Sequence, residues 1–394
     1  MKRPQFQQAL KEAPPIPFQG LTIDKPIDGG FVKCVNADII NGEAVRRQPH
    51  RYVDDGNTIM ASNGYKSIYE YRKADGSKYI YVDVNYDDSG AKLKVIGCSN
   101  TSTDEDLDIS TWSTPINGLT TGSTVVPRYT TGQDMCIRVD GTNDNLIFRD
   151  LTTPETCGVV APTVAPTLAG ATGGSVTISN NYYVYYTYVK KIGTYEVESY
   201  PSPISSVLAI GSNTAINVTY TGSTDTAVTH IRIYRNLAGF TDNYFVAIDD
   251  VTNGDNTTKV ISSDDDISTT TAMSTERGVP PTAIDVVYAA DRAWYLTIDK
   301  LMYSQDSIPE NVPVANYVFL DQYDGIDNIG LGALRDSVVV FKRTKMFNVS
   351  LYYPFNKDVI SRNLGCLDKR SIVSTGSLNS VIWLSQEGVI VYNG

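Results

Sequence analysis

The sequence predicts an all-β chain: a β-propeller-like body, an inserted immunoglobulin- or fibronectin-like β-sandwich, and an extended N-terminal arm. Three observations predict it. First, a hairpin recurs near the C-terminus, with first-strand anchors at Trp294, Val339 and Trp383, 45 and 44 residues apart, and return anchors at Met302, Phe347 and Val391 with the same spacing. A period of this size carrying short β-branched and aromatic strands is that of propeller blades. Second, the stretch between about 165 and 275 reads as seven short strands, the count of a β-sandwich. Third, 26 Tyr, 30 Gly and 18 Pro make a strand-and-turn composition, and no helical apolar period is sustained beyond the first dozen residues.

The elements follow in order. Residues 1–20 read as an arm, because Ala13-Pro14-Pro15-Ile16-Pro17 must be extended. The first part of the body is expected over residues 21–155. Within it, Phe31–Val35 is strand-like, and Asn41-Gly42 turns into Glu43–Arg47. Residues 58–97 read as a four-stranded meander with turns at Asp75-Gly76 and Ser89-Gly90. A further hairpin spans Met135–Val139 and Asn145–Phe148 around Asp140-Gly141. Thr152–Gly174, rich in Pro, Thr, Ala and Gly, reads as a linker.

The inserted sandwich is expected over residues 160–275. Its signals are the tyrosine-rich run Tyr182–Val189, the alternating Ala215–Tyr220, and His230–Arg235, where Ile231 and Ile233 share one face. The second part of the body is expected over residues 280–394. Its last hairpin ends at Gly394 after two strands. Ring closure is then expected from N-terminal strands, a neighbouring subunit or further chain.

Charge and composition exclude several functions. A net charge of −11 disfavours a general nucleic-acid binder. A local basic patch at Arg46, Arg47 and Arg51 stays open. The acidic balance suits a particle surface or a lumen past which DNA slides without sticking. The five cysteines, Cys34, Cys98, Cys136, Cys157 and Cys366, have no C-x-x-C spacing and read as small buried hydrophobes. The N-terminus lacks a signal-peptide apolar core and no apolar run reaches the length of a membrane span. Folding in a reducing cytoplasm is the expectation.

No catalytic, cofactor-binding or metal-binding residue is assigned, and no cofactor is implied. There is no G-x-x-x-x-G-K-[ST] loop and no G-x-S-x-G elbow. The two histidines, His50 and His230, lack a nucleophile–acid arrangement and read as ordinary surface or interface residues. Asp104-Glu105-Asp106 with Asp108, Asp264-Asp265-Asp266, and Asp321, Asp324 and Asp327 offer oxygen ligands suited to Ca²⁺. None has EF-hand spacing, and turns explain such clusters. A sialidase repeat S-x-D-x-G-x-x-W ending on Trp112 would need Ser, Asp and Gly where Glu105, Leu107 and Ile109 stand. Trp294 and Trp383 sit in alternating strands, which favours packing over sugar stacking.

The hairpins themselves carry a resemblance. Ala289-Ala290-Asp291-Arg292-Ala293-Trp294-Tyr295, then Leu301-Met302-Tyr303-Ser304 and Pro309, resembles a recurrent element of bacteriophage tail proteins. Asp324-Gly325, Ile329-Gly330 and Val338–Phe347 are similar to the family's next hairpin. Gly365 and Ser385–Tyr392 are similar to its closing pattern. The resemblance covers residues 284–394 and, more loosely, Gly29–Asn36 with Arg46-Arg47. A His230–Arg235-like strand also occurs in sandwich inserts of such proteins.

The family resembled is the tail nozzle, or tail tubular protein B, of short-tailed phages. It implies a non-enzymatic virion subunit, assembled in the host cytoplasm, that joins copies of itself in a ring, most often a hexamer. Tail adaptor or other tail proteins would be partners, and passing DNA a transient contact. Two other classes stay open: a carbohydrate- or receptor-binding module of the virion, and a propeller glycosidase.

Overall fold

The computed structural model describes residues 37–40, 43–46, 65–85, 92–100, 113–122 and 125–394, except 255, 322, 323 and 377. The arm at 1–20, the Phe31–Val35 strand, the Asn41-Gly42 turn, Cys34, His50, Arg47, Arg51, the 104–108 acidic run and Trp112 lie outside the described residues. Residues 1–62 form one unit, in which β1 (Ala37–Ile40) pairs antiparallel with β2 (Glu43–Arg46). Residues 63–394 form the other.

The second unit begins with two four-stranded antiparallel sheets. The first holds β3 (Tyr65–Arg72), β4 (Lys78–Asn85), β5 (Lys92–Asn100) and β6 (Ser113–Thr120), in sequence order. Three of the four strands expected over 58–97 are β3, β4 and β5, the expected first one at 58–61 lies outside the described residues, and the sheet's fourth strand, β6, is one the sequence obscured. Ser113–Thr120 contains Pro115 and Gly118 and does not alternate, features tolerated only at a sheet edge. The second sheet holds β7 (Arg128–Gly132), β8 (Met135–Val139), β9 (Leu146–Phe148) and β10 (Glu155–Thr156).

Nine strands then form three further sheets around one core. They are β11 (Thr167–Ala171), β12 (Asn180–Tyr182), β13 (Val184–Ile192), β14 (Tyr195–Glu198), β15 (Leu208–Ile210), β16 (Ala215–Thr219), β17 (His230–Asn236), β18 (Tyr244–Thr252) and β19 (Thr257–Val260). One face is the sheet β14-β13-β17-β18, and β11-β16-β19 and β12-β15 lie against it. Tyr186, Ile231 and Ile233 from the first meet Ile216, Val218 and Val260 from the second. Two strands, β10 and β11, fall inside the stretch read as a linker, and Val159 is buried in this core. A short helix, α1 (Asp264–Ser268), follows.

The remaining chain returns to sheets built in sequence order. The third holds β20 (Asp285–Ala289), β21 (Arg292–Leu296), β22 (Lys300–Tyr303) and β23 (Tyr317–Phe319). The fourth holds β24 (Asn328–Ala333), β25 (Ser337–Lys342), β26 (Met346–Ser350) and β27 (Lys357–Ser361). The fifth holds β28 (Val373–Thr375), β29 (Ser380–Ser385) and β30 (Gly388–Tyr392), three strands instead of four. The repeat anchors fall at equivalent places. Trp294, Val339 and Trp383 are on the second strand of their sheets, and Met302, Phe347 and Val391 on the third.

Successive sheets pack face to face. Tyr81 and Val95 of the first meet Cys136 and Phe148 of the second. Ile137 and Ile147 meet Val286 and Tyr295 of the third. Trp294 and Leu301 meet Val340 and Phe347 of the fourth. Val339 and Phe341 meet Val381 and Trp383 of the fifth. Strand β25 is buried on both faces, so Val338 and Val340 serve one core while Val339 and Phe341 serve the next. Face-to-face sheets of this kind, arranged around a shared cavity, make a propeller-like body.

Candidate functional site

The first strands of all five sheets, β3, β7, β20, β24 and β28, line one cavity of about 630 Å³. Each sheet therefore presents its innermost strand to a common centre. Short polar and aromatic side chains come from several strands at once, a setting in which binding sites form.

Its cations are Lys66, Arg128 and Arg370, contributed by or beside three different sheets, and no carboxylate is among its described lining residues. Arg128 is anchored through Nε to Asp285 Oδ1 at 3.1 Å. Asp285 is fully buried and also accepts from the amides of Val286 at 2.9 Å and Leu331 at 2.8 Å. One carboxylate thus joins the first strands of the second, third and fourth sheets. Lys66 donates to the Gly122 carbonyl at 2.9 Å, and Arg370 forks onto Asp368.

Tyrosines give the cavity its second character. Tyr69 and Tyr129 stack at 5.2 Å between centroids, and Tyr288 accepts from Gln133 at 3.0 Å. The Tyr129 hydroxyl donates to Asp83 at 2.6 Å. Burial and the Asp83 charge push that phenol well above its ordinary range. Behind the wall, Lys369 donates to the Ile284 carbonyl at 2.6 Å. Burial lowers its ammonium pKa to about 8, although Asp285 opposes the shift.

The residues that resemble the tail element hold one another. Arg292 donates to the Ser304 carbonyl at 2.6 Å, and the Ser304 hydroxyl accepts from the Ala293 amide at 3.0 Å. Trp294 Nε1 donates to the Ala289 carbonyl at 3.2 Å, and the Tyr295 hydroxyl donates to the Pro309 carbonyl at 2.9 Å. Ala290 and Asp291 turn the hairpin with positive φ. The Gly365 carbonyl accepts from Trp383 Nε1 at 3.1 Å. These residues build blades.

In the two described acidic clusters, Asp264, Asp266, Asp321 and Asp324 are engaged by the fold. Asp266 and Ser263 form a capping box on α1, and Asp264 pairs with Arg235 at 2.6 Å. Asp324 binds Lys342 at 2.9 Å and Lys345 at 2.8 Å, and Asp321 binds Lys357 at 3.0 Å. Burial would raise the Asp324 carboxyl, but hydrogen bonds from both lysines hold it far below its ordinary range. His230 contacts Thr229 at 2.8 Å and lies 3.6 Å from Asp250. Among the described residues no group of three His, Cys, Asp or Glu side chains is placed to hold a metal. No helix among them is long and apolar enough to cross a membrane.

The cavity cations had no signature in the sequence. They are far apart along the chain, and only stacking of sheets in order brings them together.

No protein-family model matches the chain, and neither does any curated protein. Solved structures match weakly. Apo AztD from Citrobacter koseri is 14% identical over 75% of this chain and 86% of its own, with a TM-score of 0.19. The extracellular domain of the putative one-component system BT4673 from B. thetaiotaomicron is 8% identical over 84% of this chain and 41% of its own, with a TM-score of 0.24. YCF48 bound to D1 peptide is 9% identical over 83% of this chain and 88% of its own, with a TM-score of 0.25. Likenesses at this level carry no functional argument.

Proposed function

We propose that this chain is a structural, non-catalytic subunit of a bacteriophage tail. It joins copies of itself in a ring around the DNA channel, contacts an adaptor or other tail proteins, and lets the genome pass. Six-fold symmetry, assembly in the host cytoplasm and residence in the virion come with the resemblance of residues 284–394 to tail nozzle proteins.

The observation that carries the reading is the outer margin of those same sheets. On β23, Tyr317 and Phe319 are exposed and pack on each other at 4.6 Å. Beyond β26, Tyr352 is 60% and Tyr353 87% exposed, and Val314 is 80% exposed. Exposed apolar side chains on an outer strand and in the loops of sheets whose inner faces are well packed mark surfaces that other proteins cover. The fifth sheet adds an edge. Among the described residues β30 pairs only with β29, and such an edge accepts a strand from another segment or copy.

Mass photometry and negative-stain microscopy of the full chain, alone and with candidate tail proteins, test the proposal. Rings are expected, and Phe319→Asp with Tyr353→Asp should disperse them. Monomers under every condition would reject it.

A second reading has one specific observation in its favour. At one end of the sandwich, Ser179, Asn180, Asn181, Phe240 and Thr241 line a cavity of about 360 Å³. Phe240 is 54% exposed there. An exposed ring beside amides and hydroxyls suits a neutral sugar. A glycan array with intact protein and with Phe240→Ala would decide for a carbohydrate- or receptor-binding module.

A further inference from the structure

We infer that the central cavity is a binding site for a multivalent oxyanion, a phosphate- or carboxylate-bearing molecule up to nucleotide size. The inference is independent of the tail assignment.

Charge is the first ground. The chain carries 44 acidic against 33 basic residues, yet its cavity is lined by Lys66, Arg128 and Arg370 and by no described carboxylate. The two carboxylates that pair with those cations, Asp285 and Asp368, belong to the surrounding wall. Three cations thus face two paired anions, and Lys369 adds a further ammonium behind them. A cleft of one sign within low-dielectric walls focuses its field on an entering ion.

Geometry is the second ground. Arg128 is held by a single Nε contact to a carboxylate that is itself pinned by two backbone amides. Its two Nη groups make no hydrogen bond among the described residues. A guanidinium fixed at Nε with its fork uncommitted is prepared for bidentate recognition of a carboxylate or phosphate. Lys66 spends one of three donors on Gly122. The stacked Tyr69 and Tyr129 rings give a flat face for an organic body.

Size is the third ground. About 630 Å³ exceeds what a single phosphate fills and falls within the range of small-molecule sites.

Isothermal titration calorimetry of the full chain at low ionic strength, with citrate in one arm and tripolyphosphate in the other, tests the inference. Saturable binding of at least one anion is expected, while sodium chloride at equal ionic strength gives none. Arg370→Gln and Lys66→Gln should each weaken binding about tenfold, the loss of one charge contact. Arg370 is mostly exposed, so its variant keeps the fold and decides the matter if Lys66→Gln unfolds. Absence of saturable binding for both anions into the millimolar range, or unchanged affinity in Arg370→Gln, would overturn it. The preferred anion separates a phosphate source from a carboxylate source.

Discussion

Arg138 of the second sheet donates through Nε to Asp83 of the first at 2.8 Å, and neither side chain touches solvent. Its Nη1 reaches Asp140 at 2.9 Å. Burial works against the charge on Arg138, but the two carboxylates outweigh it and hold its pKa above the ordinary value. Removing the Asp83 charge leaves the buried Arg138 guanidinium with Asp140 alone. Asp83→Asn should lower stability by about 3–5 kcal/mol, read by urea denaturation. Loss of less than about 1 kcal/mol would mean the pair is dispensable.

Lys190 plays the same part between the sandwich and the body. It is buried on β13 between Glu310 and Glu155, 3.1 Å from the latter. Glu310 also accepts from the Gly158 amide at 3.0 Å. Burial disfavours the ammonium, yet Glu310 and Glu155 raise its pKa. Glu310→Gln should speed hydrogen exchange at Gly158 and along β13 while leaving β25 protected. Uniform protection in the variant would show that apolar packing alone fixes the sandwich.

Lys369 gives a pH dependence of definite sign. Its folded value is about 8 and its reference value 10.5. Burial lowers it, Arg128 adds to the shift, and Asp285, Asp140 and Asp368 oppose it. Between those values the unfolded chain binds more protons, so stability rises with pH across that window. Below pH 8 both states are protonated and the penalty is constant. The difference in stability between wild type and Lys369→Met should therefore vary from pH 8 to 10.5 and be flat from 6 to 7.5.

Gly365 has no room for a side chain. A Cβ there would lie 2.3 Å from the backbone carbonyl of Arg343 and from that of Lys342. Gly365→Ala should cost about 1–3 kcal/mol, and the displaced carbonyl should loosen Trp383, visible as a shift in its fluorescence. An unchanged unfolding midpoint would contradict the packing described.

The thiols make a simpler case. Cys98, Cys136, Cys157 and Cys366 are free and buried. Burial raises the pKa of each. In native protein an aromatic disulfide reagent should leave these four thiols unmodified, and in denaturant it should titrate them all.

Much of this architecture was legible because it is periodic. The spacing of Trp294, Val339 and Trp383 located the second strand of three sheets, and the alternation of Ile231 and Ile233 located a core face. Non-periodic strands were hidden. Ser113–Thr120 is held by pairing with β5 and not by its own pattern, and Glu155–Thr156 is too short to show one. The inner strands β7 and β28 are also weakly apolar, since one side of each faces a cavity. The cavity cations could not be foreseen from a linear text, because Lys66, Arg128 and Arg370 meet only after the sheets stack. The acidic clusters were visible, but their lysine and arginine partners lie on other elements.

The central claim is that this propeller-like chain is a building block of a ring. Mass photometry of the full chain at increasing concentration, with matched negative-stain images, tests it most directly. The account predicts a discrete multiple of the monomer that images as a closed ring and is lost in Phe319→Asp with Tyr353→Asp. A single monomeric species at all concentrations, with or without tail proteins, would contradict it.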